Sequence, residues 1–119
     1  MSQTRRVLGS LGEQAACDDL VRRGYRIVAR NYRVRSGEID IVCEQDGVLV
    51  FCEVKTRTSA VFGLPEEAVT ASKRRRLRRL GAEYLQRERV RARAVRFDVV
   101  SVNVDGGRVS SIRHIPNAF

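Results

Sequence analysis

Two short segments of the chain, GEIDIV and FCEVK, carry charged side chains at alternate positions of otherwise apolar sequence. Both have the composition of β-strands, on which residues two apart share a face. Asp40 would then share a face with Glu38, which is a weaker candidate for a functional role, and Glu53 would share a face with Lys55. Carboxylates are ligands that Mg²⁺ prefers, and a neighbouring amine can orient or deprotonate a water. The pattern therefore predicts metal-assisted chemistry on phosphodiesters.

Each of these side chains has a predicted role. Asp40 and Glu53 would bind Mg²⁺ or Mn²⁺, with the main-chain carbonyl of Val54 as a third oxygen. Lys55 would orient or deprotonate a metal-bound water, or stabilise the oxyanion. Glu13 is a further candidate catalytic residue and metal ligand if the first helix packs across the site.

The same charges would also fit a solvated strand face, on which Asp40 and Glu53 pair with Lys55 and Arg57. Such surface ion pairs are common and contribute little to stability. Two features favour the metal site over this alternative. The run VLVFC, just before Glu53, is typical of a strand buried on both faces. A separate basic segment, residues 73–96, would also provide positive charge to bind the phosphates of a substrate.

The acidic segments would be brought together by a hairpin and flanked by a helix. The turn EQDG contains Asp-Gly, the dipeptide favoured in two-residue hairpins, so Asp40 would face Glu53. A first helix is predicted from Ser10 to Arg23, with Ser10 as its cap and Glu13 completing a capping box. Gly24 would end that helix.

The remaining elements predict one α/β domain over residues 1–119. A first strand covers residues 25–33, and the two acidic strands cover 38–44 and 48–56. After a loop at 57–64 and a helical turn at Pro65, a long helix reaches about Arg89, with an apolar stripe at Leu77, Leu80, Gly81, Tyr84 and Leu85. Strands at 97–104 and 108–115 follow. The αβββαβ order predicts a mixed central sheet flanked by helices.

Composition narrows the chemistry. The chain has 119 residues with three cysteines, one histidine and no CxxC pair, so zinc, disulfide and histidine-triad chemistry are not expected. We find no apolar run of the ~20 residues that cross a bilayer and no signal peptide. We therefore expect a cytoplasmic protein without a membrane partner, whose chemistry uses carboxylates, lysine and metal.

The net charge of +9 is concentrated in one segment. Residues 73–96 contain eleven basic and two acidic residues, and the rest of the chain has twelve of each. Such a concentration predicts a polyanion partner, most simply DNA contacted through its phosphates. The predicted contacts are Arg57, Lys73, Arg74, Arg75, Arg76, Arg78 and Arg79. The alternative is an inert, solvated helix face.

The Asp…Glu-x-Lys pattern after an acidic first helix resembles that of the PD-(D/E)xK nucleases, which include restriction endonucleases and archaeal Holliday-junction resolvases. The chain is still more similar to the bacterial YraN family, from Gly12-Glu13 through GEID and FCEVKTR to RFDVV and the terminal HIPNAF. The resemblance implies a restriction-endonuclease-like fold. It also implies Asp40, Glu53 and Lys55 as the nuclease core and Glu13 as a helix-borne acid. Ile39 stands where the motif's name has proline.

Two functions follow from these observations. The first is a divalent-metal-dependent endonuclease acting on DNA, including branched or otherwise structured DNA. An enzyme that cuts two strands would act naturally as a homodimer, although the sequence identifies no interface. The second is a non-catalytic nucleic-acid-binding module that retains the nuclease fold.

Overall fold

The structure is a computed structural model that describes residues 2–58 and 70–118, with side chains from residue 8 onwards. The helical turn predicted at Pro65 and most of the loop predicted at 57–64 lie outside the described residues. Within the described part, no helix is both long and apolar enough to cross a membrane.

The described chain contains two helices and five strands in the predicted order. They are α1 (Ser2–Arg22), β1 (Arg26–Val34), β2 (Gly37–Gln45), β3 (Val48–Thr58), α2 (Ala71–Glu88), β4 (Ala94–Asp105) and β5 (Arg108–Ile115). The predicted α/β fold is therefore confirmed. The predicted cap of α1 is wrong, because the helix begins at Ser2 and Ser10 lies inside it. Gly24 follows the helix with φ +92°, a conformation that suits glycine.

The sheet is mixed, with strand order β1-β2-β3-β4-β5. Only β3 and β4 are parallel, and α2 connects them, as a parallel pair requires a crossover. Along β3, Val50 and Cys52 pack in a cluster with α1, whereas Leu49 and Phe51 pack in a cluster with α2. Side chains alternate between the faces of a strand, so the two helices cover opposite faces. The sheet is flanked by helices as predicted.

The β2–β3 hairpin forms as the Asp-Gly dipeptide predicts. Gln45 pairs with Val48, and the two turn residues Asp46 and Gly47 have φ of +53° and +78°. Positive φ at both central positions is the requirement of a type I′ turn, whose twist matches that of the strands. The buried run from Leu49 to Cys52 is also confirmed.

The hairpin opens at its far end into a fork. Pairing between β2 and β3 stops at Ile41 and Cys52. Beyond that point β2 pairs only with β1, and β3 only with β4. We call the gap between residues 37–40 of β2 and 53–58 of β3 the fork, and its closed end the vertex.

The fork begins where β2 changes face. Ile39 packs in the α2 cluster and Ile41 in the α1 cluster, although residues two apart on a regular strand share a face. Opposite Asp40 on β1 lies Asn31, with φ +50°. Asparagine tolerates this left-handed conformation better than most residues. The local irregularity at Asn31 and Asp40 thus places a polar side chain at the vertex.

Helix α2 covers the fork on one side. Thr70 caps it by accepting a hydrogen bond from the Lys73 N–H at 3.2 Å. Its buried residues are Leu77, Leu80, Gly81 and Tyr84, which confirms the core of the predicted stripe. The basic residues between and beyond them are thereby left on the sides and outer face of the helix.

Candidate functional site

Asp40 is anchored at the vertex of the fork. Its Oδ2 accepts a hydrogen bond from the main-chain N–H of Val54 at 2.9 Å. In an antiparallel ladder the N–H and C=O of one residue face the same neighbouring strand. The Val54 carbonyl therefore lies on the fork side of β3, like the N–H. This arrangement supports the use of that carbonyl as a metal ligand.

Ionisation of Asp40 is disfavoured where it lies. Burial raises the pKa of its carboxyl, the negative charges of Glu53, Glu13 and Glu38 act in the same direction, and the resulting pKa is about 6. The hydrogen bond from Val54 opposes this shift without cancelling it. A buried carboxylate among other carboxylates gains stability from a cation, and such groups cluster at functional sites.

Glu53 is largely buried, with 12% of its side chain exposed. Its Oε1 lies 3.6 Å from Lys55 Nζ and 3.6 Å from Arg76 Nη2, which reaches it from α2. Its Oε2 is buried and has no hydrogen-bond partner in the described part of the chain. The Glu53–Lys55 pair of the alternative interpretation is present, but Glu53 is buried rather than part of a solvated strand face.

The oxygen atoms at the vertex suit a hard divalent cation. Asp40 and Glu53 supply carboxylates, Glu53 Oε2 is without a partner, and the Val54 carbonyl faces the fork. Among the described residues no three Asp, Glu, His or Cys side chains form a group able to hold a metal ion. Mg²⁺, however, needs only one or two carboxylates with water and phosphate oxygens. Assignment of Mg²⁺ or Mn²⁺ to these residues stays a prediction.

Glu13 approaches the site because α1 lies directly against β3. A Cβ atom at Gly12 would lie only 1.9 Å from Thr56 Oγ1, so only glycine permits this close approach. Glu13 is near enough to raise the pKa of Asp40, but it does not form a three-residue metal group with Asp40 and Glu53. Its role as ligand or water-holder stays a prediction.

Lys55 and Glu38 have different surroundings. The Lys55 side chain is 26% exposed and lies on the face of Glu53, as the alternation predicts. Glu38 lies 3.5 Å from Arg33 Nε, across the β1–β2 pair. This contact directs Glu38 toward β1, in keeping with its place as the weaker candidate.

The basic residues of α2 divide into two groups. Arg76 is partly buried and reaches Glu53, whereas the neighbouring arginines are exposed. The exposed group consists of Arg74, Arg75, Arg78 and Arg79. Lys73 and Arg57 are partly buried. We call the exposed group the arginine row; it lies in the N-terminal half of α2, before and after Arg76 in the sequence.

A buried charge network, which the sequence does not predict, lies on the α1 face of β4. Asp98 is fully buried and binds Arg96 through Nε at 2.9 Å and Nη2 at 2.8 Å. It also contacts His114 Nε2 at 2.6 Å and accepts the Asn117 N–H at 2.9 Å. Arg96 completes the network by donating to the Tyr25 hydroxyl at 2.7 Å. Arg96 therefore points inwards, away from any nucleic-acid surface.

This network lowers the pKa of Asp98. Burial acts to raise the pKa, but hydrogen bonds from His114, Arg96 and the Asn117 N–H outweigh it. The only sequence signal was the pair of motifs RFDVV and HIPNAF, whose spacing gives no hint of contact. The network attaches the chain after β5 to β4, the strand beside it in the sheet.

Comparison with known proteins gives a consistent family. A profile of the Uncharacterised protein family UPF0102 matches residues 12–102. A UPF0102 protein of Symbiobacterium thermophilum is 53% identical over 116 residues, which cover 98% of each chain. One of Moorella thermoacetica is 50% identical over 120 residues, covering 100% of each. One of Trichlorobacter lovleyi is 45% identical over 113 residues, 94% of this chain and 89% of the relative. UPF0102 is the YraN family, so the predicted resemblance is confirmed.

Proposed function

This chain belongs to the Uncharacterised protein family UPF0102, and we propose that it is a nucleic-acid-binding protein that cuts DNA with a divalent metal ion. The observation that carries the proposal is the buried oxygen Glu53 Oε2, which lacks a hydrogen-bond partner among the described residues. A buried carboxylate oxygen is costly unless a donor or a cation binds it. Asp40 lies close enough for Glu53 to raise its pKa, so one cation would stabilise both groups.

The proposed site uses four groups for binding and positioning. Asp40, Glu53 and the Val54 carbonyl would hold Mg²⁺ or Mn²⁺, and Glu13 would bind the ion or one of its waters. Such an ion acidifies a bound water and neutralises charge on phosphate. The Val54 N–H keeps Asp40 in one orientation for this role.

Two cationic side chains would act on the substrate. Lys55 Nζ, 3.6 Å from Glu53 Oε1, would orient the attacking water or donate to a phosphate oxygen. Arg76 Nη2 also lies 3.6 Å from this oxygen, and a guanidinium group can bind phosphate in a bidentate manner. When a cation neutralises Glu53, Arg76 would be released from it to contact the scissile phosphate.

The arginine row supports DNA as the substrate class. Arg79 lies three residues after Arg76, so the two side chains are neighbours on the helix surface and a strand held on the row would reach the fork. Phosphate contacts of this kind fix position without reading bases. Recognition would then depend on DNA shape, which makes branched or otherwise structured DNA the first substrate to test.

The test is cleavage of duplex, single-stranded, flapped and four-way DNA with Mg²⁺ or Mn²⁺ at low salt. We expect cutting by the wild type, loss of at least a hundredfold in Asp40→Ala, and wild-type rates in Asp105→Ala, whose carboxylate lies in the exposed β4–β5 turn. Equal cutting by Asp40→Ala would remove the fork from the reaction. No metal-dependent cutting of any substrate would overturn the catalytic proposal.

The second candidate is a non-catalytic nucleic-acid-binding module. It is favoured by the arginine row alone, because those exposed residues need neither carboxylate to bind phosphate. This candidate predicts tight DNA binding without cleavage. We also propose that the protein is a homodimer and that it is located in the cytoplasm. Sedimentation of the purified protein tests whether it is a dimer.

A further inference from the structure

A groove lies between the β1–β2 turn and the C-terminal half of α2, away from the fork vertex. It has a volume of about 360 Å³ and is lined by Val34, Arg35, Glu83, Gln86 and Arg87. We call it the turn groove. None of its lining residues belongs to the carboxylate site or to the arginine row.

The walls of the turn groove are held in place before any ligand binds. Arg87 donates from Nη1 to the Arg33 carbonyl at 3.2 Å, and its guanidinium lies 5.9 Å from the centre of the Tyr32 ring. Glu83 accepts a hydrogen bond from Ser36 Oγ at 2.6 Å. The hydrogen bond from Ser36 orients Glu83, the one carboxylate among the lining residues, without neutralising its charge.

The remaining charge of the groove favours an anion. Arg35 is exposed and has no hydrogen bond or ion pair within the described part of the chain. Arg87 keeps further N–H donors beyond the one bonded to Arg33. Two guanidinium groups and one carboxylate give the lining of the groove a net charge of +1, and guanidinium groups bind phosphate through paired N–H donors.

The turn groove is aligned with the fork along α2. Positions 76, 83 and 87 are separated by seven and four residues, so their side chains lie on one line of the helix within about 20°. Arg76 at one end of this line contacts Glu53, and Glu83 contacts Ser36. The distance along the axis from position 76 to position 87 is about 16 Å.

We propose that the turn groove is a second phosphate-binding site, which holds the nucleic-acid strand away from the bond that is cut. This inference rests on the proposed function, and it assigns the strand a path along α2. A duplex strand advances about 3.4 Å per phosphate along its axis. Because the strand also winds around that axis, a separation of about 16 Å corresponds to a phosphate about two to three nucleotides from the scissile one.

The test measures binding, by fluorescence anisotropy, of a labelled 24-base-pair duplex and a four-way junction in EDTA, where cleavage cannot interfere. The variant Arg35→Gln/Arg87→Gln is compared with the matched control Arg22→Gln/Arg108→Gln, whose exposed arginines lie in α1 and at the start of β5. We expect the groove variant to bind at least tenfold more weakly than the control. Its slope of log affinity against log salt should be lower by about 0.9, the value for one phosphate.

The phosphate itself is tested by placing one neutral methylphosphonate at successive positions of the strand. For the wild type, affinity should fall when the substitution lies about two to three nucleotides from the cleaved bond, as it should at the phosphates bound by the arginine row. The groove variant should not respond to that position. Arg35→Gln alone, which breaks no contact of the described chain, should show a smaller loss in the same direction.

The outcomes separate the two proposals. If the wild type binds neither DNA, the proposed function fails and this inference fails with it. If the wild type binds and the groove variant binds like its control, only the turn groove is overturned. A folded groove variant is verified by its circular dichroism and melting temperature; if it unfolds, the Arg35→Gln result decides, and equality with an Arg108→Gln control overturns the inference.

Discussion

The Val54 N–H donates to Asp40 Oδ2, so a carboxylate occupies the place that a β2 carbonyl would take in a continuous sheet. This contact fixes where β2 and β3 separate, because pairing stops at Ile41 and Cys52. The same side chain thus satisfies the backbone at the vertex and lies close enough to Glu53 for that carboxylate to raise its pKa. Asp40 therefore has a structural role in the sheet and a proposed role in metal binding, and substitutions can test both roles.

Asp40→Asn should stabilise the metal-free protein at pH 8. The folded pKa of Asp40, about 6, is above its ordinary value, so the ionised form weakens the native state increasingly as pH rises from about 4 to 6. Asparagine retains an acceptor for Val54 without the charge. We expect a gain of about 1–3 kcal/mol in the free energy of unfolding at pH 8 and little gain at pH 4. Urea unfolding in EDTA measures it, with Asp105→Asn as control; a loss at pH 8 would contradict the expectation.

Mg²⁺ or Mn²⁺ should stabilise the wild type through Glu53. A ligand present at ten times its dissociation constant adds about 1.4 kcal/mol to the free energy of unfolding. The increment should disappear in Glu53→Gln and persist in Glu44→Gln, whose carboxylate lies at the hairpin end of β2 beside Arg26. It should also weaken as pH falls through about 6, because protonated Asp40 binds metal poorly. A metal effect of equal size in both variants would place the ion elsewhere.

Gly12→Ala should destabilise the protein by about 1–3 kcal/mol, since the new methyl group overlaps Thr56. The matched control is Gly9→Ala in the same helix, where no atom lies within 4 Å of the new Cβ. There, the higher helix propensity of alanine should stabilise by about 0.5–1 kcal/mol. Thermal unfolding of both variants measures the difference. Equal effects at the two positions would mean that α1 does not touch β3 as described.

Asp98→Asn should destabilise the protein by about 2–4 kcal/mol, because it leaves the partly buried Arg96, beside His114, without its counter-ion. The folded pKa of Asp98 is lowered, so its contribution is present above pH ~4 and is lost as pH falls through the folded value. The stability of the wild type should therefore decrease in acid more steeply than that of the variant. Urea titrations at several pH values measure both slopes, and parallel slopes would rule out this role.

Arg76→Gln should reduce the rate of cleavage more than DNA affinity. Its guanidinium contacts Glu53, whereas that of the adjacent Arg75 is exposed in the arginine row. Arg75→Gln should weaken binding a few fold and lower the salt slope, with the rate at saturating DNA unchanged. Single-turnover kinetics separate the two effects. Arg76 would lose its proposed role if both variants behaved alike.

The sequence predicts what depends on local chemistry. Asp46-Gly47 specifies the hairpin, and alternation along β3 assigns Glu53 and Lys55 to one face. It does not predict the fork, because two strands with good pairing patterns show no signal that they separate. The left-handed Asn31, opposite Asp40, is visible only in the structure.

Contacts between residues far apart in the sequence are the second feature that the sequence does not predict. Arg76 is one of several similar arginines, and only the packing of α2 directs it to Glu53. The approach of α1 depends on Gly12, whose partner Thr56 lies far along the chain. At Ser10 a local pattern gave a wrong prediction. The sequence around it matches that of a helix cap, but α1 continues through Ser10.

Within the fork, β3 pairs with only one of the described strands, like an edge strand, although it is the middle strand of the sheet. Where β2 leaves β3, the segment from Val54 to Thr58 has lost a neighbouring strand, and exposed strand edges invite other chains to add to them. Natural sheets protect such edges with charged side chains, above all lysine. Lys55 and Arg57 stand at this position, so the residues proposed to contact phosphate would also guard the monomer against strand addition and aggregation.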